Sequence, residues 1–220
     1  MAEAHWLLIN RVLTQGRMVN SYKPALLRAL ADYGALNRDE LTVSCEWLAE
    51  QFVHYYWPLA VRYRVRQATN PVKEPVVVRL IKELDVGSRV TADQFRRRNR
   101  SEFDSLVARL AKPGATSCLG EVLPRFHALP SEPPAILYGQ AESSIEIRED
   151  ALVYLQEYHK TLRLLSIGWW VRFTEKFSFS PRLWEKIDGQ AKRQSLNPHR
   201  QALTQLELAS TCFYCDRPLG

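Results

Sequence analysis

Two groups of residues have the types and spacing to do chemistry. The first is Cys212 and Cys215, in the run Cys212-Phe213-Tyr214-Cys215-Asp216-Arg217-Pro218-Leu219-Gly220. Two thiolates in a Cys-x-x-Cys can grip one tetrahedral metal, while the tight turn aims backbone N–H groups at the sulfurs, so zinc is the expected ion. Zinc takes four ligands, and no His, Cys or Asp-His pair follows Cys215 within the 220 residues. The pair therefore supplies half a site. A redox dithiol would need the motif to open a helix after a strand, whereas an apolar helical pattern precedes this one. A chance pairing is the remaining reading.

The second group is Arg96, Arg97, Arg98 and Arg100. From Ser88 to Lys112 seven Lys or Arg face three acids, a local excess of 7 − 3 = +4 out of a net charge of +6. Such a patch is what a polyanion needs, because neutralising phosphates releases condensed counterions. DNA is the expected partner, with these four arginines on phosphates, where they would position the chain without reading sequence. A solvated helix face is the competing reading. Arg62, Arg64 and Arg66 form a second, smaller basic set.

Other chemistries lack their residues. The five histidines (His5, His54, His127, His159 and His199) show no ligand spacing. The phosphate-binding loop, the dinucleotide fingerprint, the nucleophile elbow and the His-Glu-x-x-His zinc motif are all missing. No catalytic residue is assigned. Glu146, Glu149 and Asp150 form an acidic cluster of the kind a helix N-terminus favours. With 46% apolar and 25% charged residues the composition is globular. No apolar run approaches the roughly 18 residues of a membrane span, and no secretory leader is read at the start. Cys45 and Cys118 stand alone and are expected to pack as small apolar residues, which suits a reducing cytoplasm.

The elements that must position these groups are mostly helical. Trp6, Leu7, Ile9, Val12 and Leu13 have loose helical spacing. Ser21 is a candidate cap for a second helix, with Pro24 in its first turn and Leu26, Leu27, Leu30 and Tyr33 on one face. Ser44 caps a third, carrying Trp47, Leu48, Phe52, Tyr55, Tyr56 and Trp57, and Pro58 marks its end or a kink. Val61-Arg62-Tyr63-Arg64-Val65-Arg66 alternates strictly and reads equally as an extended segment or a helix tail. Pro75 opens a short apolar helix. Thr91, Asp93 and Gln94 signal a helix that ends on the arginine cluster, and Ser101 is read as the cap of the next, with Phe103, Leu106, Val107 and Leu110 as its buried stripe. Residues 113–143, dense in Pro and Gly, form an irregular middle. A short hairpin is expected between 135–138 and 144–147 across Gly139-Gln140.

The strongest period runs from about Arg148 to Phe177. Ala151, Leu155, Tyr158, Leu162, Leu165, Trp169 and Phe173 recur at steps of three and four, predicting one amphipathic helix of about 30 residues. Trp169 is read as core. Ser180-Pro181 and Asn197-Pro198 signal two further helices. The expected fold is mainly α: a helical bundle with a long amphipathic spine helix and a short hairpin in an irregular middle. Its organisation reads as a helical N-terminal subdomain with a basic patch (1–112), an irregular seam (113–143), a helical subdomain with the long helix (144–211) and a zinc-knuckle start (212–220).

Several short segments carry a resemblance. Tyr22-Lys23-Pro24-Ala25-Leu26-Leu27-Arg28-Ala29-Leu30 resembles the Tyr-Lys-x-x-Leu-Leu-x-Ala-Leu segment of bacterial proteins with an HNH endonuclease domain. Phe52-Val53-His54-Tyr55-Tyr56-Trp57-Pro58 resembles their Tyr-Trp segment, and Val65-Arg66-Gln67-Ala68-Thr69-Asn70 their basic Arg-Gln-Asn turn. The run from Cys212 to Leu219 is similar to the first zinc knuckle before their nuclease core. The resemblance implies phosphodiester hydrolysis in an intact member, in a defence or restriction setting. There a ββα-metal core supplies a general-base His and His/Asn ligands to a divalent metal, and a second Cys-x-x-Cys completes the structural zinc site. None of those core residues lies in these 220. The expectation is therefore a chain that carries the helical, DNA-contacting region and half the zinc site, broken off before the catalytic core. A non-catalytic DNA-binding or protein-interaction module is the alternative.

Overall fold

Leu26, Leu27, Leu30 and Tyr33 fall on one side of α2 (Tyr22–Ala35), but the burial of this helix goes further: ten of its first ten residues, Tyr22 to Ala31, are buried. A helix buried all round belongs in the centre of a molecule, and α2 occupies that place. A computed structural model describes residues 2–87, 89–114, 116–178 and 183–189, all within one unit spanning Met1–Gln190. The architecture is mainly α.

The spine helix forms as α8 (Glu149–Glu175), 27 residues or about 40 Å. It lies directly on α2. At Gly34 a Cβ atom would sit 2.5 Å from the Leu155 carbonyl oxygen, so only glycine lets the two backbones come this close. The buried face of α8 turns along its length. Near its start Tyr154 stacks on buried His5 of α1 (Ala2–Thr14) at 5.3 Å. Farther on, Trp170 packs on Tyr56 at 5.0 Å. That rotation leaves Trp169 half-buried, packed against the edge of the core and 4.8 Å from the Arg172 guanidinium, while Trp170 is the fully buried one.

Ser44 caps α3 (Cys45–Trp57), its Oγ accepting from the Trp47 N–H. Pro58 does not stop the chain's winding. With no proline N–H to continue the α ladder, Pro58–Arg62 forms a π turn, closed by the Tyr63 N–H on the Pro58 carbonyl at 2.9 Å. Arg64 then takes a φ of 49°. The alternation from Val61 to Arg66 is thus a helix tail and a left-handed kink, and its three arginines do not share a strand face.

Downstream lie α4 (Val76–Glu83), α5 (Ala92–Arg98), α6 (Arg100–Ala111), α7 (Cys118–Val122) and α9 (Leu183–Asp188). Thr91 and Gln94 form a reciprocal capping box on α5. Two expected caps differ. Ser21 sits at the N-cap of α2, yet its hydroxyl makes no capping bond because it is spent in the core. Asn99, at φ −134°, precedes α6, so Ser101 falls within the first turn. On α1 the buried face is His5, Leu8, Ile9, Val12 and Leu13; Trp6 and Leu7 face outward, since the helix period cannot bury them together with Ile9 and Val12.

The hairpin is present and belongs to a three-stranded antiparallel sheet. β1 (Thr42–Ser44), β2 (Tyr138–Gln140) and β3 (Ser144–Ile147) take the order β1-β3-β2, with Val43 opposite Ile145 and Tyr138 opposite Ile147. Gly139 pairs with Glu146 inside the ladder, so the turn lies at 141–143, closed by the Ala141 N–H on the Ser144 carbonyl. The segments on either side of the irregular middle thereby share one core. Its large buried side chains include Tyr22, Phe52, Tyr56, Trp57, Phe103 and Trp170. Cys45 and Cys118 are free and buried.

Candidate functional site

The arginine cluster sits at the junction of α5 and α6, where the Thr91 capping box starts one helix and Asn99 separates it from the next. Its four members have different surroundings. Arg96 is half-exposed; its Nη1 donates to the Glu50 carboxylate on α3, and its guanidinium lies 5.3 Å from the Phe103 ring. Glu50 also lies 3.7 Å from His54, whose other ring nitrogen is 3.9 Å from Asp93. Arg100 is strongly exposed, with its Nε 3.7 Å from Asp104. Arg97 and Arg98 are exposed and have no carboxylate partner among the described residues. An exposed i, i+4 pair such as Arg100–Asp104 contributes about 0.3–0.5 kcal/mol, little enough to yield to a phosphate.

A second site was not legible as a motif. A cleft of about 820 Å³ opens between the turn before α2, the loop at 68–70, the entry to α4 and the stretch from Glu121 to Ala128. An antiparallel bridge between Asn20 and Ala68 and the Thr69 N–H on the Val19 carbonyl at 3.0 Å hold two of its walls together. Lys23 lines this cleft although it is only 6% exposed. No carboxylate or hydrogen-bond acceptor partners its ammonium among the described residues, and burial lowers its pKa from the usual lysine value. A Cβ at Gly16 would fall 2.6 Å from Lys23 Nζ, so the glycine leaves room for the amine. Lys23 in turn helps depress His127, whose burial is the larger cause of a pKa lowered to about 4.

Three more cations line the cleft: Arg17, Lys73 and Arg125. The two carboxylates there are both engaged. Glu74 pairs with Lys82, and Glu121 accepts from Asn20 Nδ2 at 3.2 Å and faces Arg125 at 3.5 Å.

Residues 2–103 match a protein-family model described as a domain of unknown function (DUF8808). No curated protein matches the chain, and no solved structure does. The matched stretch ends inside α6 and takes in Lys23 and all four arginines of the corner. The family description carries no activity to either site.

Cys212 and Cys215 lie outside the described residues, as do the helix signals at Ser180-Pro181 and Asn197-Pro198. Among the described residues no group of three or more His, Cys, Asp or Glu side chains could hold a metal ion, and no helix is long and apolar enough to cross a membrane. Lys23 did have a sequence signal. It stands four residues before Leu27 and seven before Leu30, on the apolar stripe of its own helix, where a lysine is out of place.

Proposed function

We propose that this chain contacts DNA as the helical portion of an HNH-type endonuclease, through the corner formed by α5 and α6. The observation that carries the reading is the pair Arg97 and Arg98, exposed beside Arg100 and free of carboxylate partners among the described residues. Arg96 plays a lesser part, since Glu50 already holds its guanidinium. Contacts of this kind meet phosphates and not base edges, so binding is sequence-tolerant. Zinc on Cys212 and Cys215 belongs to the same proposal, as does a cytoplasmic setting, which the free, buried Cys45 and Cys118 suit.

Duplex DNA binding followed by fluorescence anisotropy across a salt series tests it. Three phosphate contacts give a slope of log K against log salt of about −2.7, at roughly −0.9 for each contact. Replacing Arg97, Arg98 and Arg100 with Ala should flatten that slope. An unchanged slope moves the contact elsewhere, and no binding at low salt ends the DNA reading. Zinc content that is unaffected by Cys212→Ser removes the HNH part and leaves a DNA-binding module. Trp6 and Leu7, neighbours on the outside of α1 at 46% and 38% exposure, favour a protein partner as the second reading if DNA does not bind.

A further inference from the structure

We propose that the cleft over Lys23 binds a small phosphate-bearing organic molecule, with the Lys23 ammonium as its central counter-charge. This site is separate from the basic corner and does not depend on the DNA reading.

The first argument is the lysine itself. Taking an ammonium out of water costs several kcal/mol unless an anion or a full set of acceptors compensates. Lys23 as a residue is only 6% exposed, its ammonium is largely withdrawn from water, and the described residues offer it neither. It nevertheless reaches the cleft wall, so an anion arriving from solvent can meet it. The other buried cation of α2, Arg28, is by contrast held by the Ile187 and Asp188 carbonyls, with Asp32 at 3.9 Å.

The second argument is the charge left over. Four cations and two carboxylates line the cleft, and both carboxylates are already paired. Arg17, Lys23 and Lys73 remain without carboxylate partners among the described residues. Several cations lining one cleft suit a doubly charged tetrahedral group better than a single carboxylate, which two donors satisfy.

The third argument is the backbone. The N-terminus of α2, a 14-residue helix, lines the cleft at Tyr22 and Lys23, and the entry to α4 lines it at Pro75 and Val76. Helix N-termini carry partial positive charge. At α2 the N-cap hydroxyl is diverted to Tyr56 and Gln67. Asn20 Oδ1 accepts the Tyr22 N–H at 3.2 Å and Pro24 has no N–H, which leaves the Lys23 N–H of the first turn open to the cleft.

The size and lining fix the rest. A cleft of about 820 Å³ lies within the 300–1,000 Å³ typical of small-ligand sites and is too small for a duplex. Met18, Val19, Val76 and Val122 on its walls give an organic body somewhere apolar to rest. A phosphomonoester of nucleotide or sugar-phosphate size fits both halves of this description.

The test is a thermal-shift and calorimetric titration of the full chain with inorganic phosphate, adenosine monophosphate and acetate at matched ionic strength. Phosphate should stabilise the protein in a saturable way, the monophosphate should bind more tightly than phosphate alone, and acetate should do neither. Lys23→Met keeps an unbranched apolar side chain, one atom shorter, and removes the charge, and should weaken phosphate at least tenfold. Arg17→Glu with Lys73→Glu, at the rim, should weaken it by a similar factor in a protein that folds normally, which keeps the test decisive if Lys23→Met misfolds. The Arg97, Arg98 and Arg100 alanine variant should bind phosphate as the wild type does. The proposal is overturned if phosphate acts no differently from acetate on the wild type, or if either cleft variant retains wild-type affinity.

Discussion

Trp170 and Gln67, 103 residues apart, meet in the core, where the indole Nε1–H donates to the Gln67 Oε1 at 2.7 Å. The same oxygen accepts from Ser21 Oγ at 2.8 Å, while Gln67 Nε2 donates to the Val65 carbonyl at 3.2 Å. Ser21 has one hydrogen and gives it to Gln67, so the Tyr56 hydroxyl must be the donor across their 2.7 Å contact. One amide thus satisfies polar groups from α2, α8 and the turn after the π segment. Gln67→Leu strands the Trp170 and Ser21 donors and should cost about 2–6 kcal/mol, at roughly 1–3 kcal/mol for each unsatisfied buried group. A double-mutant cycle with Trp170→Phe, read by urea denaturation, should show coupling of about 1 kcal/mol or more. Additive losses would mean the bond contributes nothing beyond packing.

The approach of α2 to α8 gives a sharper expectation. Gly34→Ala places a methyl group 2.5 Å from the Leu155 carbonyl oxygen and 3.0 Å from the Gln156 nitrogen. Backbone cannot step aside as a side chain can. The helices must separate, and the loss should reach or exceed the 1–3 kcal/mol usual for overpacking. Gly139→Ala, with nothing within 4 Å, serves as control and should change stability by less than about 0.5 kcal/mol. Equal urea midpoints for the two variants would show that the helices are not in contact at Gly34.

Within α8 the two faces should separate cleanly. Leu162 is fully buried and Lys160 exposed. Leu162→Ala should cost about 2–5 kcal/mol and Lys160→Ala less than about 0.5 kcal/mol. If neither change shifts the urea midpoint, α8 owes its order to a partner absent from the sample.

His127 makes stability depend on pH in a defined window. Its Nε2 accepts from the Leu137 N–H at 3.2 Å, which requires a neutral ring, and burial, then Lys23, lower its pKa from 6.5 to about 4. As pH falls below 6.5 the unfolded chain takes up a proton that the folded chain refuses. The stability from this group is therefore complete above pH 6.5 and is lost progressively down to about pH 4, by on the order of 2–3 kcal/mol. The stability gap between wild type and His127→Gln should shrink over that range in urea melts. A gap that stays constant from pH 7.5 to 4.5 would refute the depressed pKa.

The sequence was most legible where local chemistry decides the outcome. Thr91 with Gln94, Ser44 before Trp47, and the three-to-four spacing from Ala151 onward led to helices that formed where expected. It was least legible where a distant partner decides. Ser21 looked like a cap because its competitor for the hydroxyl, Gln67, is 46 residues away. Trp169 and Trp170 are adjacent in sequence, and only the position of Tyr56 and Gln67 selects the second for burial. β1 went unseen because three residues carry no period, and its partner β3 lies about a hundred residues on. Of the two candidate sites, the arginine corner is a run that composition reveals, whereas the cleft around Lys23 assembles from four separate stretches of chain.

The pairing of α2 with α8 also has a consequence for synthesis. Leu155 leaves the ribosome roughly 120 residues after Gly34, which at about 5–20 residues per second means a delay of about 6–24 s. Throughout that interval α2, buried along its first ten residues in the folded protein, lacks its main packing partner. The nascent protein must either bury α2 provisionally against its nearer neighbours, α1 and α3, or be held by a chaperone until the spine emerges. Slow translation between residues 36 and 148 would lengthen its exposure, and the yield of folded protein would fall with it.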